Sequence, residues 1–151
     1  MQLPYDSPKL DSLMEEAGAD VLLVGTRHNI RYLCGGYYYH FYERFTAISQ
    51  GVYTPLLGIP KNQPDKAFYV GIAGEIGQIQ DQDIWVPEFI NAGANVQPNP
   101  ITSAEKTAEA IKARGLAKAT IATEFHFLPS TAMDCLKKEL PGATFVEATP
   151  V

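Results

Sequence analysis

An α/β layer architecture follows from three features of this 151-residue sequence. An amphipathic helical stretch near the N-terminus closes on a glycine. Val21-Leu22-Leu23-Val24 comes next, an unbroken apolar run of the kind expected of a strand covered on both faces. Helix-like and strand-like segments then alternate to the end of the chain, which is the pattern of helices layered on a sheet. The length fits one domain able to bury roughly 68–70% of the surface its unfolded chain exposes.

The first helix has its signals in place. Asp6 or Ser7 can cap it, Pro8 suits its first turn, and Leu10, Leu13, Met14 and Ala17 fall on one face before Gly18. After the apolar strand and Gly25-Thr26, Asn29 to Leu33 reads as a short helical turn ahead of Gly35-Gly36. The aromatic run Tyr37-Tyr38-Tyr39-His40-Phe41-Tyr42 follows. Residues 45–57 read as two strands with a turn at Gln50-Gly51, residues 60–64 as a polar loop, and Ala67-Phe68-Tyr69-Val70 as a further strand. A short helix is expected over residues 71–80 and a short strand at Ile84-Trp85-Val86, broken by Pro87.

Residues 89–104 carry no charge and are rich in Asn, Gly and Pro, so they read as a loop. The helix beyond it has Thr102 and Glu105 at capping-box spacing, Ala104, Ala108 and Ile111 on one face, and Gly115 as its stop. Thr120-Ile121-Ala122-Thr123 is a strand. Pro129 opens a last helix through Met133, Leu136 and Leu140, and Thr144-Phe145-Val146-Glu147 is the final strand. The chain shows no internal repeat.

Composition narrows the function classes. Hydrophobic residues are 46% and charged residues 19%, an ordinary globular balance. A net charge of −5 disfavours binding driven by phosphate neutralisation, so neither nucleic acid nor an anionic membrane surface is an expected partner. No apolar run reaches the ~18 residues of a membrane span, and the first residues lack the pattern of a signal peptide, so a soluble cytoplasmic protein is expected. Cys34 and Cys135 form no recognisable pair and read as two small buried thiols.

Few residues of the chain stand in a pattern that carries recognisable chemistry. His28, His40 and His126 are scattered, and no metal-ligand spacing appears. Glu124 and His126 share a face of a strand end, where a solvated edge is the better reading than a metal site. Gly71-Ile72-Ala73-Gly74-Glu75-Ile76-Gly77 sits where phosphate loops sit, but its spacing is not GxGxxG, it has no Lys, and Glu75 would repel an anion. Close backbone packing is the reading kept for it. The informative stretch is the aromatic cluster with His40, Glu43 and Arg44. It reads either as an aromatic-rich hairpin on the core or as a pocket wall or subunit contact in which Arg44 could grip a carboxylate. Three consecutive tyrosines cannot all point one way, so at least one faces outward.

Residues 10–24 (LDSLMEEAGADVLLV) and the following Arg27-His28-Asn29-Ile30-Arg31-Tyr32-Leu33-Cys34-Gly35 resemble the N-terminal domain of the creatinase/prolidase family. That family of metallohydrolases includes aminopeptidase P, Xaa-Pro dipeptidase and creatinase. Its pattern there is a helix ending M-x-x-x-G-x-D-A-L-L-V, then N-I-R-Y-L-T-G. This chain has Val21 where the family often has Ala, and Cys34 where it often has Thr or Ser. The likeness extends in element order to Leu140-Pro141-Gly142-Ala143 and the last strand, and its motif is most specific in the first third.

The resemblance implies a three-layer α/β/α fold with a mixed β-sheet, with residues 1–151 forming one creatinase/prolidase-type N-terminal domain. It implies no catalytic residue, metal or cofactor in this chain. The catalytic pita-bread domain of the family, with its two Asp, one His and two Glu ligands for a divalent metal (Mn, Zn or Co), would be C-terminal and absent here. The partners implied are that catalytic domain, a second copy in a homodimer, and a small peptide or a small amide or amidine substrate. By position in the family pattern, Phe41 matches an aromatic that reaches the substrate of a neighbouring subunit, and Arg44 stands one step from a substrate-reaching arginine. Tyr39, His40, Phe41 and Arg44 are therefore expected to form an exposed edge facing a partner's catalytic site. The alternative of another class is a free-standing small-molecule or protein-interaction module on the same fold.

Overall fold

The computed structural model describes residues 2–41, 53–93 and 99–151. Six strands form one mixed sheet: β1 (Val21–Val24), β2 (Leu56–Pro60), β3 (Phe68–Gly71), β4 (Glu88–Asn91), β5 (Thr120–Thr123) and β6 (Thr144–Glu147). Their order across the sheet is β4-β3-β2-β1-β5-β6. Only β2 runs against its neighbours; β1 with β5, β5 with β6, and β3 with β4 pair in parallel. Among the described residues the α-helices are α1 (Ser7–Glu16), α2 (Arg27–Leu33), α3 (Ile76–Gln82), α4 (Pro100–Ala113) and α5 (Ser130–Glu139).

The three layers can be read from the alternation along β1. Leu22 and Val24 point to one face, where they pack with Leu10 and Met14 of α1 and Ile30 and Leu33 of α2. Val21 and Leu23 point to the other, where Ala104, Ala108 and Ile111 of α4 and Leu136 of α5 cover them. All four β1 residues are buried, so the apolar run is the direct consequence of a strand with a core on each side. This is the expected α/β/α sandwich.

Helix α1 is bounded as its sequence predicts. The Asp6 carboxylate accepts from the Lys9 backbone N–H at 3.1 Å, Pro8 sits in the first turn, and Gly18 has φ +63°, a left-handed value that a Cβ would penalise.

Several boundaries differ from the sequence reading: α2 starts at Arg27 rather than Asn29, and the helix expected over residues 71–80 runs from Ile76 to Gln82. The strand expected at Ile84-Trp85-Val86 lies beyond Pro87, at Glu88–Asn91, because proline cannot donate to a ladder and the pairing with β3 starts after it. Trp85 instead packs on Tyr5 (ring centroids 5.6 Å apart) and donates its indole N–H to the Leu33 carbonyl at 2.7 Å. Helix α4 starts at Pro100, with Asn99 as its cap accepting from the Ile101 N–H at 2.9 Å, so Thr102 and Glu105 lie inside the helix rather than forming its capping box. The uncharged stretch is thus divided between β4 and α4, and residues 94–98 of it lie outside the described residues. Of the two strands expected over residues 45–57, only the end falls within the description, where Leu56 opens β2.

Of the two cysteines, Cys34 is buried, and burial pushes its thiol up to about 12, a poor nucleophile at neutral pH. Cys135, expected to be buried as well, is only half-covered on α5. No helix is long and apolar enough to cross a membrane among the described residues.

Candidate functional site: the aromatic turn after α2 and the carboxylate beneath it

The aromatic run leaves α2 through Gly35 and Gly36, both at positive φ, and descends onto the sheet. Its tyrosines do not share a direction. Tyr37 is buried, Tyr38 is half-exposed, and Tyr39 is buried. Tyr38 lies against two cations, with the guanidinium carbons of Arg27 and Arg31 5.7 Å and 5.5 Å from its ring centroid.

Beneath the turn lies a feature that the sequence reading treated as a helix-start charge. Glu75 is completely buried. Its Oε2 accepts from the Tyr37 hydroxyl at 2.7 Å and from the Tyr69 hydroxyl at 2.8 Å. Its Oε1 accepts from the Ile72 backbone N–H at 2.8 Å and from the Tyr53 hydroxyl. Four donors from three stretches of the chain therefore converge on one carboxylate. The Gly71-to-Gly77 segment exists in this form for a steric reason: a Cβ on Gly71 would stand 2.3 Å from the Glu75 carboxylate oxygen and 2.8 Å from the Tyr69 ring. Close backbone packing, the reading preferred over a phosphate loop, is what the segment does.

The energetics of the cluster are opposed. Burial pushes the Glu75 carboxyl up, and the hydrogen bonds from Tyr53, Tyr37, Ile72 and Tyr69 pull it partly back. The phenols of Tyr37, Tyr53 and Tyr69 are pushed up, first by burial and then by the adjacent Glu75 charge. All three therefore stay protonated donors across the ordinary pH range. Tyr37 precedes the turn and Tyr53 lies ahead of β2, so one carboxylate holds the chain on both sides of the aromatic segment.

The four residues expected to form one exposed edge separate in space. Tyr39 is buried, against Tyr53 and Ile72, and so is not part of that edge. Apolar surface that can be covered by a second aromatic and an aliphatic side chain is more stable covered than wet. His40 and Phe41 are exposed above it. The Phe41 ring centroid stands 5.6 Å from that of Tyr39 and 4.2 Å from that of His40. His40 is oriented by Gln78 of α3: the Gln78 Oε1 accepts from the His40 backbone N–H at 3.3 Å and pairs with its ring Nδ1, while its Nε2 donates to the Tyr38 carbonyl at 2.6 Å. Arg44 lies outside the described residues.

The other expected site residues also resolve differently from a solvated strand edge. Glu124 is buried, and both of its oxygens are occupied. Oε2 accepts from the backbone N–H groups of Gly25 (2.7 Å) and Thr26 (2.9 Å), and Oε1 from the Thr26 hydroxyl (2.6 Å) and the Asn29 side-chain amide. It binds the start of α2 to the end of β5. His126 is exposed.

Neither buried glutamate has the makings of a metal ligand, because N–H and O–H donors occupy the oxygens a cation would need. No three His, Cys, Asp or Glu side chains stand together as a metal site among the described residues. Sequence reasoning missed Glu75 and Glu124 as organising groups. The available signal was an acidic residue inside an otherwise apolar or small-residue context at each position, Gly-Glu-Ile and Thr-Glu-Phe.

The sequence matches the family described as Creatinase/Prolidase N-terminal domain over residues 8–151. Solved structures share the fold. A proline dipeptidase from Streptococcus pneumoniae is 20% identical at a TM-score of 0.68, with 96% of this chain and 92% of that chain covered. A creatinase/prolidase N-terminal domain of an X-Pro dipeptidase from Streptococcus pyogenes is 20% identical at a TM-score of 0.65, with 96% of each chain covered. The Xaa-Pro dipeptidase from Bacillus anthracis is 17% identical at a TM-score of 0.63; the match takes in 93% of this chain but only 32% of that one. No curated protein matches the sequence.

Proposed function

This chain belongs to the creatinase/prolidase N-terminal domain family, and from that premise we propose that it is the non-catalytic N-terminal domain of a metal-dependent hydrolase of the Xaa-Pro dipeptidase type. In this reading it acts in the cytoplasm, helps two subunits assemble, and lends His40, Phe41 and Arg44 to the substrate site of a neighbouring catalytic domain. A divalent metal held by that catalytic domain would supply the activated water that attacks the C–N bond of an Xaa-Pro peptide or a small amide. The present chain's part is positioning: it presents an aromatic face and polar groups at a fixed place, and it excludes water from the substrate around them.

The observation that carries this reading is the contrast between Phe41 and what lies under it. A large apolar ring is 38% exposed, while Tyr39 directly beside it is buried on a cluster tied down by Glu75. An exposed ring on a rigid base suits a contact made to another surface. The match to about a third of the Bacillus anthracis dipeptidase supports the reading that a domain of this kind works as part of a longer enzyme. Tyr39 acts in it as a support for Phe41 rather than as a substrate contact.

The test uses the full-length natural protein. Phe41→Ala and Arg44→Ala are each expected to lower kcat/KM on Xaa-Pro dipeptides about 10-fold, which is about 1.4 kcal/mol of transition-state binding. Creatine serves as the comparison substrate. Unchanged kinetics in both variants, with folding intact, would overturn the proposal.

A further inference from the structure

The sheet has a second feature at the same strand ends, on the far side of Glu124 from the aromatic turn. β1 and β5 are adjacent and parallel. β1 continues into α2, which packs on one face of the sheet, and β5 leads to α5, which packs on the other. The two connections therefore part at the carboxyl ends of β1 and β5. In open α/β sheets that divergence leaves the crevice in which ligands bind.

A cavity of about 360 Å³ opens there, within the size range of small-molecule sites, roughly 300–1,000 Å³. Its floor is apolar, made by Leu22 and Val24 of β1 and Leu33 of α2. Two aromatic rings line it while remaining largely exposed, Tyr32 at 64% and Phe127 at 72%. They are the two most exposed large hydrophobic side chains among the described residues. Glu124 and Glu147, at the ends of β5 and β6, form the polar side with His126.

The sign of the charge decides what such a cavity takes. The start of α2 would ordinarily draw an anion, but the Glu124 carboxylate already occupies those N–H groups. Glu147 accepts from the Phe125 N–H at 3.1 Å and from the Thr149 N–H and hydroxyl at 3.2 Å and 3.0 Å. Every one of these donors is a neutral group, so the hydrogen bonds orient the two carboxylates without cancelling their charge. His126 stands beside Glu147. Arg27 and His28 lie in the adjoining hollow beyond Glu124, with the Arg27 guanidinium over the Tyr38 ring. An apolar floor, two open aromatic faces and two carboxylates complement a cation carried on an apolar body.

We infer that the crevice between β1 and β5 is a binding site for a small amphipathic organic cation, an aromatic or aliphatic body bearing an ammonium or guanidinium head. The head group lies toward Glu147 and the faces of Tyr32 and Phe127, and the body lies on Leu22, Val24 and Leu33. The site is separate from the His40–Phe41 edge and does not depend on the reaction proposed above.

The experiment titrates the whole chain with benzylamine, benzyl alcohol and benzoate, three probes of similar shape and different charge, and follows the methyl resonances of Leu22, Val24 and Leu33 by NMR. Saturable shifts at those methyls are expected, with benzylamine binding about 10-fold more tightly than benzoate, a difference of about 1.4 kcal/mol. Phe127→Ala weakens benzylamine several-fold. Glu147→Gln removes the preference for the amine while leaving benzyl alcohol unaffected, a result that general loosening of the fold would not produce; Tyr32→Ala is the second ring variant. Equal affinity for amine and benzoate, shifts confined to other parts of the chain, or no saturation at millimolar probe would each overturn the inference. So would concentration-dependent self-association that broadens the same methyls and disappears in Phe127→Ala, because the crevice would then be an interface between copies.

Discussion

Two buried glutamates, Glu75 and Glu124, solve the same problem with different means. Each carboxylate accepts four hydrogen bonds, and every donor is uncharged. Glu124 takes two backbone N–H groups, a hydroxyl and an amide at the start of a helix, where the peptide dipoles already favour negative charge. It lies at the strand ends, 7% exposed, beside open cavities. Glu75 has no exposure at all and takes three of its four bonds from phenols that are themselves buried. A charge at a helix start uses donors that the backbone must satisfy anyway. A charge inside a phenol cage requires that three side chains be brought there for it, and in return it binds three separate stretches of chain. The contrast separates a local cap from a long-range tie, and it predicts that the two carboxylates fail differently when removed.

The largest effect is expected for Glu75→Ala. Three phenol hydroxyls and the Ile72 N–H would lose their acceptor inside the core, and an unmet buried donor costs about 1–3 kcal/mol. Urea unfolding of the whole chain should show a loss of about 4 kcal/mol, in the range reserved for broken buried networks. Glu124→Ala should cost less, about 2 kcal/mol in the same assay, because water can reach the freed N–H groups through the neighbouring cavity. Equal losses in the two variants would break the distinction between tie and cap.

The smallest effect, and the one that sharpens the contrast most, is on pH dependence. In the folded chain the Glu75 carboxyl is raised above its ordinary 4.5, burial outweighing its hydrogen bonds. A raised acid favours the fold fully below its unfolded value, and that contribution is lost as pH rises through the folded value. The stability of the wild type, measured as its difference from Glu75→Gln, should therefore decline as pH rises from about 4.5. The same sign applies to Tyr37, Tyr53 and Tyr69, whose phenols are raised above 10.0, so alkali should unfold the protein above pH 10 as these groups lose protons. Tyrosine absorbance recorded through the transition would show the three ionising with unfolding rather than before it. A difference that stays flat across acid and neutral pH would contradict the raised carboxyl.

The local parts of the fold were legible because they rest on near neighbours in the chain. Asp6, Pro8 and Gly18 bound α1 through contacts within a turn, and Val21-Leu22-Leu23-Val24 reveals a two-faced strand by composition alone. The family likeness came from the same stretch. The last helix was readable from Pro129 and its apolar spacing. The β4 strand was displaced by a few residues because Phe89 and Ile90 carry only a two-residue alternation. Their place was set by pairing with Tyr69 and Val70 across the sheet.

The candidate site was half legible. The aromatic run was visible as a concentration of rings, and the expectation that its tyrosines diverge agrees with Tyr38 facing out between two buried neighbours. What could not be read was which ring would be covered. Tyr39 is buried because Tyr53 and Ile72 reach it from other segments, while the neighbouring Phe41 ring stays 38% exposed.

By itself the sequence determined the alternation of elements, the two-sided core around β1, the boundaries of the first helix and the family. Each of these is carried by periodicity or by caps acting over a few residues. Tertiary structure alone decided where the charges went. Glu75 and Glu124 gather donors from as far as 38 and 99 positions away, and only the closed sheet brings those groups within hydrogen-bonding distance. Whether a glutamate is a solvated charge or the centre of a buried network depends on that approach, because a carboxylate can leave water only where other donors replace it.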